Sequence, residues 1–332
     1  MRLVEKIKEK EIQIFLAKAF VFLAILVILD FLIGSILEYF YFKQESGLLY
    51  RTTYSLDSTH ADFLVLGSST ANHHYDSKIF EKRLGMSTYN TGREANTIFY
   101  NYSIFQSVLK RYKPKIALLD FNVEEFKVSS DNYDRIASLL PYYKSHPEVH
   151  SIIQLKSPYE KYKLLSKIYP FNSLLFTIAI GTTDFNKSRE QVNDENGYIP
   201  LTHVWQKNIS IEANTVDYEV DSNKVNILKS FIEECKNAGI QLYIIISPRF
   251  IKYFGNDLSV ELVRKIANKS DIPFYDYSKD TLFWKHREYF ADKVHLNNTG
   301  AIIFSNKVID TILQSKEYRR IRDENNLSIK IK

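Results

Sequence analysis

Four short stretches of this 332-residue chain hold residue types that work together in nucleophilic catalysis. They are Gly67-Ser68-Ser69-Thr70, Asn90-Thr91-Gly92-Arg93, Asp120-Phe121-Asn122 and Asp292-Lys293-Val294-His295-Leu296. A serine hydroxyl is a weak nucleophile until a base removes its proton, and His295 is the candidate base. Asp292, three residues earlier, would hold the imidazole tautomer and stabilise the imidazolium. The backbone N–H of Ser69 or Gly92 and the side-chain amide of Asn122 are candidate donors to an oxyanion. Glycine at 92 would let the backbone approach a substrate closely. Ser69 is the expected nucleophile and Ser68 its competitor. A Gly-Ser-Ser after a strand is a common turn; the distant Asp-x-x-His is what gives it chemical meaning.

Rival motifs fit less well. Gly67 to Ala71 approximates the nucleophile elbow Gly-x-Ser-x-Gly, with alanine in the last place. That elbow follows several strands and lies far from an acid that is itself remote from its histidine. Here the serine ends the first strand and Asp292 is next to His295 on the scale of a turn. A phosphate-binding loop would need Gly-Lys-Ser/Thr, which is missing. His73 and His74 are adjacent and point apart on a helix, so a polar pocket wall suits them better than a metal; no metal or cofactor is expected. His74, Ser68, Arg93 and Arg249 are candidate substrate contacts, the arginines for an acidic group, although structural ion pairs would serve them equally. His286 reads as a surface residue. Tyr and Phe are abundant, and some in the middle of the chain could stack on sugar rings, while most belong to the core.

These residues need a scaffold that brings them to one edge. Phe63-Leu64-Val65-Leu66, Ile116–Phe121 and Gln241–Ile246 are apolar runs of buried-strand type, with shorter strands at Ser87–Tyr89 and Pro273–Tyr277. Helical spacing covers Ser77–Leu84, Thr97–Tyr112, Val225–Asn237, Ser259–Asn268 and Thr299–Gln314. Alternation of this kind argues a doubly wound parallel sheet with helices on both faces. Ligands then bind outside the carboxyl ends of the strands, where all four stretches fall. Residues from about 127 to 218 break the rhythm and read as an inserted subdomain or lid, with helices expected around Asn132–Leu140 and Tyr159–Lys167. Asn196-Gly197-Tyr198-Ile199-Pro200 would begin the return to the core.

Location is written in the first forty residues. Ala19 to Leu37 is apolar except for Asp30 and Ser35. As a helix it would be roughly 28 Å long, close to the hydrocarbon thickness of a bilayer. Arg2, Lys6, Lys8, Lys10 and Lys18 precede it, so the positive-inside rule orients the N-terminus to the cytoplasm and the rest outside. A signal peptide and a buried helix are the alternatives; length and the lack of a small-residue cleavage site speak against the first. Asp30 is costly in such a span, and would lie near the outer interface or pair with a partner helix. The net charge of +5 divides into +2 on residues 1–18 and +3 on residues 315–332, which leaves the middle neutral. A nucleic-acid footprint is therefore absent. Cys235 is the single cysteine, so a disulfide framework is excluded.

The four stretches together resemble the SGNH/GDSL hydrolases, whose blocks carry Ser, Gly, Asn and a terminal Asp-x-x-His in that chain order. The resemblance covers about residues 60–126 and 220–315. Its most specific part is Asp292-Lys293-Val294-His295-Leu296-Asn297; the Asn122 block departs from Gly-x-Asn-Asp, and Ser68 stands where the family usually has Asp. The Gly-Ser-Ser variant behind an N-terminal anchor is similar to the branch that modifies extracellular polymers, which includes alginate O-acetylation proteins and the D-alanylation protein of the Dlt system. The resemblance implies a three-layer, flavodoxin-like α/β fold and acyl transfer or deacylation on a cell-envelope polymer, with a membrane-bound O-acyltransferase as a possible partner. The expected organisation is a cytoplasmic tip and anchor (1–40), a stalk (41–60), a catalytic domain (61–315) and a charged tail (316–332). The competing expectation is a non-catalytic module of the same fold that binds polymer beside an acyltransferase.

Overall fold

The computed structural model of the protein describes residues 2–182, 196–213, 218–254 and 257–322. Five strands form one parallel sheet: β1 (Phe63–Leu66), β2 (Thr88–Asn90), β3 (Ile116–Asp120), β5 (Gln241–Ile246) and β7 (Phe274–Asp276). Their spatial order is β2-β1-β3-β5-β7, with Phe63 opposite both Thr88 and Ile116 and Asp120 opposite Ile245. β2 is added on one side of β1 and β3 on the other, so strand order reverses at β1 and the gap beyond the carboxyl ends of β1 and β3 is the switch point of the sheet. Two further strands outside it, β4 (Ser210–Ala213) and β6 (Ile251–Phe254), pair in parallel; nothing in the sequence reading anticipates them.

Side chains on a strand alternate between its faces, and here both faces are apolar. Leu64, Leu66, Ala117, Leu119, Leu242 and Ile244 pack on one side against α5 (Ile98–Arg111) and the helices Ser222–Ala238 and Leu258–Lys269. Phe63, Val65, Ile116, Leu118, Tyr243 and Ile245 pack on the other against α4 (Ser77–Leu84) and the helix Asn298–Gln314. Burial on two faces is why these strands are continuous apolar runs.

Three features differ from the expected organisation. Residues 41–60 are not a stalk: α2 (Gly47–Asp57) buries Leu49 and Leu56 in the core and is tied to α5 by Arg111, which donates to the Leu56 and Thr59 carbonyls at 2.9 and 2.7 Å. Its polar composition hid this, because Thr52, Thr53 and Ser55 return their hydroxyls to helix carbonyls at Leu48, Leu49 and Arg51. In the insertion the two expected helices are shorter, Ser130–Asp134 continuing as a 3₁₀ turn Arg135–Tyr142, and Glu160–Lys163. Pro141 lies within that 3₁₀ segment, where it could not have continued an α-helix. Residues 316–322 are helical, and Tyr318 is buried. The remainder of the expected tail lies outside the described residues.

The N-terminal helix α1 (Arg2–Phe42) is long and apolar enough to cross a membrane, and its apolar side chains between Phe20 and Ile36 are mostly exposed. Its upper end is built into the domain, where Tyr41 is buried against Tyr142 and Phe171. The neck of the insertion is closed by a bridge between Lys127 and Val220.

Candidate active site

β1 delivers Gly67 and Ser68 to its carboxyl end, and Ser69 opens α3 (Ser69–His74). Gly67 leaves no room for a side chain, since a Cβ there would meet Ala71 Cβ at 2.5 Å and Asp120 Cβ at 2.9 Å. The turn is tight for that reason. Ser69 Oγ donates to His295 Nε2 at 2.7 Å, and His295 Nδ1 donates to Asp292 Oδ2 at 2.8 Å. Asp292 Oδ1 accepts from the backbone N–H groups of Val294 and His295 at 2.7 and 2.8 Å. These donors hold the Asp292 carboxyl well below the usual carboxylate range, against the opposing effect of its partial burial. A residue pair three apart thus forms a closed loop that presets the imidazole.

His295 is fixed from behind as well. The Ala291 N–H donates to the His295 carbonyl at 2.8 Å. Asn297 caps the following helix by accepting from the Gly300 N–H at 3.1 Å, and its Nδ2 donates to the Glu288 carbonyl at 2.7 Å. His74 accepts from the Leu296 N–H at 2.9 Å. Expected in the substrate pocket, His74 is fully buried beneath it, and burial pushes its ring well below the usual imidazole range. It is a positioning residue for the His295 loop. His73 donates from Nδ1 to the Ile199 carbonyl at 2.7 Å, with its ring 5.5 Å from that of His295. The two histidines hold different backbone partners, and both rings stand edge-on to that of His295.

The expected oxyanion donors fare differently. As the first residue of α3, Ser69 has a backbone N–H with no intrahelical acceptor. The Gly92 N–H, in contrast, donates to Asn90 Oδ1 at 2.9 Å, an Asx turn that commits it within the loop. Gly92 acts instead as a spacer: a Cβ there would meet Asn72 N at 2.5 Å. Asn90 also donates to the Ala71 and Tyr75 carbonyls at 2.7 and 3.1 Å, which clamps the serine helix to β2. The Asn122 amide lies beside the serine turn, and its Nδ2 is held by Ser68 Oγ at 3.0 Å and Glu125 Oε2 at 3.2 Å. Ser68 is thereby turned to Asn122, which leaves Ser69 as the serine facing the base.

Sequence reasoning missed the groups that hold this arrangement. Glu125 is buried, accepts from the Ile98 N–H at 2.8 Å, and is raised above the usual range by burial against the opposing charge of Lys224. Lys224 is also buried and donates to the Glu125 and Lys127 carbonyls. Beneath the serine turn, buried Asp120 accepts from Thr70, from Tyr75 at 2.8 Å and from Ser247 at 2.6 Å. Only the Asn-x-Gly spacing at 90–92 carried a readable signal. The others are joined across 27 to 127 residues, except for Asn122 and Glu125, three residues apart.

The relay opens into a cleft of about 490 Å³ lined by Ser68, Ser69, Asn122, Arg135, Arg249 and Val294, among others. Residues 127–135 of the insertion form one wall. Arg249 is therefore where an acidic group could meet it. Arg93 is not: it is buried, with its guanidinium 5.5 Å over the Tyr100 ring. His286 is partly exposed and paired with Glu288 at 2.7 Å.

No protein-family profile and no curated protein matches the chain. Among solved structures, it is similar to the acetyl xylan esterase AlAXEase, at 12% identity and a TM-score of 0.38 over 75% of this chain and 98% of that one. It is also similar to a protein described as an acylhydrolase from Bacteroides fragilis, at 13% identity and a TM-score of 0.37 over 80% and 95%. Likeness of this degree bears on neither activity nor substrate.

Proposed function

We propose that the protein is a membrane-anchored serine esterase or O-acyltransferase of SGNH type, acting outside the cytoplasm on ester groups of a cell-envelope or exopolysaccharide polymer. The observation that carries the chemistry is the Ser69–His295–Asp292 relay, with both contacts at hydrogen-bond length. His295 Nε2 takes the Ser69 proton as Oγ attacks the ester carbonyl, and Asp292 stabilises the imidazolium so formed. The Ser69 N–H, at a helix start, faces the developing oxyanion; Asn122 joins it once substrate displaces its contact with Ser68. His295 then protonates the departing alcohol. Water or a sugar hydroxyl resolves the acyl-enzyme, and the choice separates esterase from transferase.

The test is hydrolysis of p-nitrophenyl acetate by the full chain in detergent. Ser69→Ala and His295→Ala should each lower kcat/KM by about 10³-fold or more, whereas Ser68→Ala should leave most activity. Full activity in either of the first two variants would end this reading. Glycan binding without turnover by the native chain would favour the non-catalytic module instead.

A further inference from the structure

We propose that residues 159–181 of the insertion are seated in the outer face of the bilayer beside α1, so that the protein meets the membrane through two elements. This rests on reading α1 as a membrane span. Asp30, the one acid within the 19–37 run, is satisfied wholly by the insertion. It accepts from Ser166 Oγ at 2.5 Å, from the Lys167 N–H at 2.7 Å and from the Ile168 N–H at 3.2 Å. Gly34 lies against Lys167, where a Cβ would come within 2.5 Å of backbone carbon, and Lys167 Nζ reaches Glu38 at 2.6 Å. Higher up, Phe171 packs on Tyr41 and Gly181 abuts Gln44. Segment 166–181 therefore runs beside α1 from Asp30 to Gln44, which fixes its depth.

Asp30 lies seven residues before the end of the apolar run, roughly 10 Å below it along a helix. At that level Leu165 is 81% exposed, beside the exposed Phe31 and Leu32 of α1, while Leu175 and Phe176, the latter 77% exposed, fall between the Tyr41 and Gln44 contacts, at the interface above the apolar run. Such a surface is costly in water and ordinary in lipid. Conversely, a carboxylate and a non-helical turn at membrane depth are tolerated only when they satisfy each other. One geometry accounts for both. Tyr159, Tyr162 and Tyr169, interleaved with Lys161, Lys163 and Lys167, have the composition of an interfacial belt. The penetration matches that of helices lying in the interface. The cleft is then held at a fixed height and orientation above the lipid.

Nitroxide labels report this in the full chain reconstituted into vesicles of phosphatidylglycerol and phosphatidylethanolamine. Leu165→Cys and Phe176→Cys are compared with Leu23→Cys in α1 and Lys269→Cys, exposed at the end of the helix Leu258–Lys269; the native Cys235 is buried and out of reach. Position 165 should show the high oxygen and low nickel-chelate accessibility of position 23, position 176 the intermediate values of the interface, and position 269 low oxygen and high nickel-chelate accessibility. If 23 is in lipid while 165 and 176 are in water, the span stands and the seating is wrong. If 165 and 176 are shielded from both reagents, a protein covers this face and the proposal falls. If 23 itself is in water, the anchor fails and the seating with it.

Discussion

At the residue scale, the chemistry depends on a local device and a distant one. Asp292 and His295 are joined by a three-residue turn whose own backbone supplies two donors to the carboxylate, so their pairing is readable from spacing alone. The depressed Asp292 stabilises the fold above the ordinary Asp value near pH 4, and this contribution is lost as pH falls through the folded value. Asp292→Asn should accordingly unfold at lower urea concentration than the native protein at pH 7, with the gap narrowing as pH is lowered below about 4. A gap unchanged between neutral and strongly acidic pH would show that the carboxylate draws nothing from these donors. The same variant should lose about 10³- to 10⁴-fold in esterase activity at pH 7, because the amide no longer selects the tautomer that leaves Nε2 free. Ser68 and Asn122 show the converse of local pairing. Which serine faces the base is decided by Asn122, 54 residues from Ser68; Asn122 is held by Glu125, whose backbone carbonyl accepts from Lys224 a further 99 residues on, and no local spacing reveals either long-range contact.

At the element scale, the serine helix is too short to orient itself; its six residues make fewer than two turns. Its direction comes from a clamp of β2 and the returning segment 196–199. Asn90 holds the Ala71 and Tyr75 carbonyls, the Asn196 carbonyl accepts from the Asn90 N–H at 2.9 Å, and Asn72 Nδ2 donates to the Gly197 carbonyl at 2.8 Å. Gly197 makes this closeness possible, with φ +85° and a would-be Cβ only 1.9 Å from the Asn90 carbonyl oxygen. Gly197→Ala should therefore lift the segment from β2, costing about 1–3 kcal/mol in urea unfolding. Activity should fall further than stability implies, as Ser69 loses its alignment. Native kcat/KM in the variant would show that the clamp does not set the serine. That Asn196-Gly197 begins a return to the core was legible from its turn chemistry; that it returns onto the nucleophile was not.

On the scale of the whole molecule, the chain between the long helix and the first strand belongs to the fold. Leu49 and Leu56 of α2 are core residues, and Arg111 depends on the end of that helix for its acceptors. A fragment starting at residue 38 should unfold cooperatively in urea, whereas one starting at residue 59 should lose cooperativity or aggregate; equal stability of the two would contradict the packing of α2. Much of the larger plan was visible in the sequence: the apolar strand runs, the helices between them, the apolar N-terminal stretch and the order of the site-bearing turns. These are properties of periodicity and of neighbours within a few residues, and local chain geometry is enough to fix them. The tertiary structure alone decided which amides are already committed, as at Gly92 and Asn122, which candidate residues are buried, as with His74 and Arg93, and what satisfies Asp30. Those outcomes depend on hydrogen bonds and close packing between segments as much as 222 residues apart, for which the linear order carries no distance.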